Sequence, residues 1–140
     1  MSRNIAAAGL SLALLAALAW TRPAPANNEH PNWVLPSCDA ALDEIASAFR
    51  EKEYRFWKSN AQIVDFAQVQ ETAFRPWAAD VMSRRFCRAD AEVTDGAWHP
   101  VYFSIEAGMG EIGATWGVQW CVVGFDRNWA YNPDCRMAKP

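Results

Sequence analysis

The stretch RRFCRADAEVTDGAWHPVYFSIE, residues 84–106, decides the fold. Its first half alternates. Cys87, Ala89, Ala91 and Val93 share one face, and Arg84, Phe86, Arg88, Asp90 and Glu92 share the other. Successive side chains of a strand point to opposite sides, so this pattern predicts a strand buried on one face only. Asp95-Gly96 then reads as a two-residue hairpin turn, because glycine accepts the positive φ of a type I′ turn. The return run alternates as well. Val101, Phe103 and Ile105 fall together, which leaves Trp98 and Tyr102 on the opposite face.

Further along, residues 114–126 read as the last strand. Trp116, Val118, Trp120 and Val122 share one side, and Cys121, Val123 and Phe125 share the other. A strand apolar on both sides is central or covered on both. Residues 107–113 contain Gly108, Gly110 and Gly113 and read as a mobile loop. Residues 127–140 are an irregular tail with Pro133 just before Cys135.

Upstream the period changes. Cys38, Ala41, Leu42, Ile45, Ala46 and Phe49 recur at the i, i+3, i+4, i+7 spacing of an amphipathic helix. Ser37 is placed to cap it, and Asp39 puts a negative charge in its first turn. Tyr54, Phe56 and Trp57 continue it before Ser59-Asn60 ends it. Residues 61–77 stay open. Ile63, Phe66, Ala67, Gln70, Phe74 and Trp77 fit a helix with one polar exception, and Pro76 fits equally well the end of a strand or a bulge. The expected class is α+β: an N-terminal helix packed on a three- or four-stranded antiparallel sheet.

The chain is 140 residues long, 51% hydrophobic and 21% charged, with a formal net charge of −3. That excludes a disordered tail and a coiled-coil rod, and the length allows one core. The negative balance argues against nucleic acid as a partner. Residues 1–26 read as a signal peptide. Arg3 is followed by an uncharged apolar run to Trp20, and cleavage is open after Ala19 or after Ala26. Cleavage after Ala26 leaves an extended lead-in over 27–36. It also removes Arg3 and Arg22, so 11 basic residues then face 16 acidic ones, a balance of −5. No stable membrane span is expected after cleavage. The sequence contains no Asn-x-Ser/Thr acceptor for glycans. A periplasmic or secreted bacterial protein is therefore expected.

Cys38, Cys87, Cys121 and Cys135 all follow the leader, and an even number in an exported small domain reads as two disulfides. Three pairings are possible. The favoured one joins Cys121 to Cys135, pinning the tail to the last strand, and Cys38 to Cys87, tying the helix to the sheet. The closest two cysteines stand 14 positions apart, unlike the short spacings of zinc sites. No metal and no cofactor are expected.

The element order, helix then four strands, resembles a cystatin-like fold if residues 61–77 are a strand. A second resemblance concerns residues. The segments Ala73-Phe74-Arg75-Pro76-Trp77, Arg84-Arg85-Phe86-Cys87, Thr94-Asp95-Gly96, residues 116–124 and residues 126–131 look like a set of small exported bacterial proteins of unknown function. The likeness implies export and a compact disulfide-bonded domain, and carries over no activity.

Candidate chemistry is sparse. His99 is a general base only if a partner lies within reach. Glu106 and Glu111 bracket the glycine loop, and paired carboxylates can cleave glycosidic bonds at a suitable separation. Arg84 and Arg88 flank Phe86 on one strand face and could take an anion, although Asp90 and Glu92 on that face favour salt bridging instead. Eight residues are tryptophan, a residue common at binding hot spots. Trp98 and Tyr102, with Trp129 and Tyr131 of the tail, are the aromatic binding candidates. The leading expectation is an exported, non-catalytic binding or inhibitory module of the periplasm or envelope, with an unknown protein or small ligand as partner. The alternatives are a small envelope hydrolase using His99 with Glu106 or Glu111, and a structural envelope protein without a discrete site.

Overall fold

A computed structural model describes residues 35–76, 82–113 and 115–140. The leader, residues 27–34 of the lead-in and Trp77 lie outside the described residues. Residues Cys38–Ala41 form a single 3-10 turn that runs into helix α1, Leu42–Trp57. Four strands follow: β1 Ile63–Arg75, β2 Arg84–Val93, β3 Trp98–Glu106 and β4 Gly117–Val122. They pair in sequence order as one antiparallel sheet, β1-β2-β3-β4. The fold is α+β, and the open segment 61–77 is the first strand.

The helix starts without the expected side-chain cap. Ser37 makes no capping hydrogen bond, and its carbonyl instead accepts from the Ala40 amide at 3.2 Å. At the other end Lys58 takes a left-handed conformation and closes the helix against the Glu53 carbonyl. Ala41 of the 3-10 turn and the α1 face carrying Ile45 and Phe49 lie on Cys87, Ala89, Ala91, Val93, Val101, Phe103 and Ile105, all nearly free of solvent. Burying side chains such as Phe49, Ile45, Phe103 and Ile105 contributes ~1.5–3 kcal/mol each relative to exposure. Phe49 also meets Phe125 edge-on, with centroids 5.1 Å apart. Cys38–Cys87 ties the start of the helix region to β2, and Cys121–Cys135 ties the tail to β4.

Two further details depart from the sequence reading. The hairpin between β2 and β3 is a three-residue loop, Thr94–Gly96, closed by the Val93 amide on the Ala97 carbonyl at 3.0 Å. Only Gly96 within it has positive φ, 82°, so it is the turn-plus-glycine form rather than a type I′ pair. The last strand is shorter than expected. Gly124 turns the chain at φ 90°, which breaks the alternation and returns Phe125 to the core beside Phe49. β4, apolar on both sides, is covered on both as its pattern requires, although it is an edge strand: α1 lies on one face, while the disulfide-held tail, with its short 3-10 turn Arg136–Ala138, lies on the other. Residues 107–113 include a further 3-10 turn, Glu111–Gly113. Among the described residues no helix is long and apolar enough to cross a membrane.

Candidate functional site

His99 stands at the hairpin end of β3. Its Nε2 lies 2.9 Å from Asp95 Oδ2 and its Nδ1 lies 3.1 Å from the Val123 carbonyl oxygen. Its ring meets Phe125 edge-on at 5.0 Å. Both nitrogens are thus engaged in clamping the hairpin to the end of β4. The Asp95 carboxyl is held below the usual carboxylate range, first by the Ala97 amide that donates to it and then, with burial opposing, by His99.

Glu106 stands at the other end of the same strand. Seven residues at about 3.3 Å each separate the two by roughly 23 Å, and their parity puts them on opposite faces. Glu111 follows Glu106 in the next turn and is exposed, so neither carboxylate joins His99 within one chain. Glu106 is instead a buried anchor. Its Oε2 accepts from Arg84 Nη2 at 2.6 Å, and its Oε1 accepts from Ser104 Oγ at 2.8 Å. Arg84 also lies over Phe86. Arg88 pairs with Asp90 at 2.9 Å. Both arginines named as anion candidates are therefore spent on salt bridges.

The aromatic candidates divide. Tyr102 lies on the sheet face that the tail crosses, with Lys139 Nζ 4.2 Å from its ring centroid. Tyr131 is half-buried on that side, and burial, reinforced by Glu106 and Asp126, pushes its phenol above the usual value. Neither forms an open patch with Trp98, which remains 48% exposed at the start of β3. Trp129 is 70% exposed in the turn after β4 and lines a small hollow with Arg127 and Asp134.

A more developed surface lies where α1 ends. The inward stripe of the helix runs Ile45, Phe49, Glu53, then Phe56 and Trp57. The first three are fully buried, whereas Phe56 is 73% exposed and Trp57 lies at the margin. The stripe outruns the core. Lys52, Phe56, Trp57 and Asn128 line a cleft of about 530 Å³ there, within the size range of ligand sites. Lys52 Nζ sits 5.2 Å from the Trp120 centroid, and the Arg127 guanidinium lies 5.4 Å from Trp57 and 5.3 Å from Phe125. Beneath this stacking Arg127 Nη2 comes within 2.9 Å of Glu53 Oε2, off the axis of a hydrogen bond. Neither Glu53 oxygen has a hydrogen-bond donor among the described residues.

Residue type points to histidine, glutamate and tryptophan, and does not mark Lys52, Phe56, Trp57, Arg127 and Asn128 as a set. The available signal was a glutamate at a core phase of the helix, followed one turn later by aromatics at the same phase. Among the described residues no group of three or more His, Cys, Asp or Glu is placed to hold a metal ion. In comparisons with known proteins the chain matches no family model, no curated protein and no solved structure.

Proposed function

We propose that the protein is an exported binding module of the periplasm or cell envelope, and that it engages its partner through the end of α1. One observation carries this reading. The apolar stripe of the helix continues past the core and leaves Phe56 and Trp57 uncovered around a cleft. Exposed apolar surface of this kind marks interaction sites. Export is supported by the apolar leader and by two disulfides, which persist in oxidising compartments. The separation of His99 from Glu106 and Glu111 disfavours the hydrolase alternative.

The test is retention of envelope components on immobilised, oxidised protein. Wild type is expected to hold one saturable component, protein or lipid. The Phe56→Ala, Trp57→Ala double variant is expected to lose it, and Trp98→Ala to keep it. Equal retention by all three proteins, or none by wild type, refutes the reading.

A further inference from the structure

We infer that the end of α1 docks on the surface of a bilayer containing anionic lipids, an inference that rests on the binding-module reading above. Charge is the first argument. Residues 50–58 read Arg-Glu-Lys-Glu-Tyr-Arg-Phe-Trp-Lys, four cations against two carboxylates. Glu53 is buried against a fifth cation, Arg127, and Glu51 is paired on the surface with Arg55 at 3.1 Å. The neighbouring Asp126 accepts from the amides of Ala130 and Tyr131, and with Asp134 it lines the hollow beside Arg127, so five cations face four carboxylates here. This end of the molecule is positive on a chain whose net charge is −3. An anionic surface attracts it and repels much of the rest, which orients the protein.

Residue type is the second argument. The cations are interleaved with exposed rings of three kinds. Tyr54 is 68% exposed, Phe56 73% and Trp57 37%. Tyrosine and tryptophan settle at the headgroup level of bilayers, and lysine reaches past them to the phosphates. Protein interfaces, by contrast, are depleted in lysine, and here Lys52 lines the cleft and Lys58 follows the rings. Trp129 adds a further exposed indole in the turn beside Asn128.

The test uses oxidised protein recovered after export, sedimented with vesicles of phosphatidylcholine alone or with one quarter phosphatidylglycerol, while tryptophan emission is followed. Binding is expected only with phosphatidylglycerol, with a blue shift, and is expected to weaken as salt rises. Lys52→Gln with Lys58→Gln is expected to weaken it about 25-fold, taking about fivefold per cation. Phe56→Ala is expected to weaken it about tenfold. Ile112→Ala, at an exposed residue near the other end of the sheet, is expected to change nothing. Matched urea midpoints show that the variants fold. No sedimentation of wild type with anionic vesicles at low salt overturns the proposal, as does binding that none of the end-of-helix variants weakens. If vesicles fail while a captured protein still depends on Phe56, the partner is a protein: the lipid proposal falls and the binding-module reading stands.

Discussion

Arg127→Ala should destabilise the protein more than its half-exposed position suggests. Glu53 is 0% exposed, and the cation that faces it is Arg127 at 2.9 Å. At an effective dielectric constant of about 20, two unit charges at that distance attract by roughly 6 kcal/mol. Desolvating the carboxylate costs several kcal/mol, so the intact pair contributes little net stability. Removing one partner is different, because the burial cost stays and the attraction goes. Buried pairs broken this way lose about 3–5 kcal/mol. The Arg127 side chain is about one third exposed, so water reaches the vacated space, and the expected loss is the lower end, about 3 kcal/mol. Lost stacking on Trp57 and Phe125 accounts for about 1 kcal/mol of that. Urea unfolding with the disulfides intact measures it, and a double-mutant cycle separates the terms. Glu53→Met alone should be neutral or stabilising, because it removes a charge from an apolar site. The double variant should recover about 2 kcal/mol of the Arg127→Ala loss. A loss below about 0.5 kcal/mol for Arg127→Ala, or a coupling near zero, means the carboxylate is hydrated and the reasoning is wrong.

Replacing both Cys121 and Cys135 by Ser should cost about 3 kcal/mol, the loop-entropy value for a closed loop of this length, read from the urea midpoint. In the same variant the Tyr131 phenol should titrate closer to its ordinary value near 10 by absorbance at 295 nm, because the tail that buries it is freed. In the native protein that phenol is raised, so its contribution is complete below about pH 10 and disappears as pH climbs from there through the folded value. Asp95 has the opposite sign. Its lowered carboxyl contributes stability above the ordinary carboxylate range, lost as pH falls through the folded value, and Asp95→Asn should remove that acid-side slope. His99→Ala should cost about 1–2 kcal/mol, since it removes the ring that bridges the Val123 carbonyl and Asp95 Oδ2. If His99→Ala left stability unchanged and abolished a measurable activity instead, the structural assignment of the clamp would fail.

The strands that could be read from sequence are those with one inner face and no interruption. Cys87 to Val93 and Val101 to Ile105 keep strict parity because a single helix covers them. β1 resisted the same reading for a physical reason. Its register to β2 shifts three times, between Ile63 and Asp65, Ala67 and Gln70, and Glu71 and Ala73, and Gln68 has a left-handed backbone, φ 56°. Each slip moves later side chains to the other face. The apolar residues Ile63, Phe66, Ala67 and Phe74 therefore spread to a spacing that imitates a helix. The same cause displaced Phe125, which parity assigned to the face of Cys121 and Gly124 returned to the core.

The site was hidden by a different cause. His99, Trp98 and Tyr102 were chosen for what they are, and the structure spends or covers two of the three: His99 in a clamp and Tyr102 beneath Lys139. What marks the end of α1 is phase and not residue type. A helix that carries Ile45 and Phe49 into the core places Glu53 at the same depth and Phe56 beyond it, and no composition figure registers that order. The net charge of −3 conceals a positive helix end for the same reason: it sums over both ends of the molecule. The position of Glu53 within the apolar stripe was visible from the start. A carboxylate at a core phase requires a cation from elsewhere in the chain, and Arg127 meets that requirement while its guanidinium lies over Trp57. The cation that answers the buried carboxylate thereby also packs against one of the rings the helix end exposes.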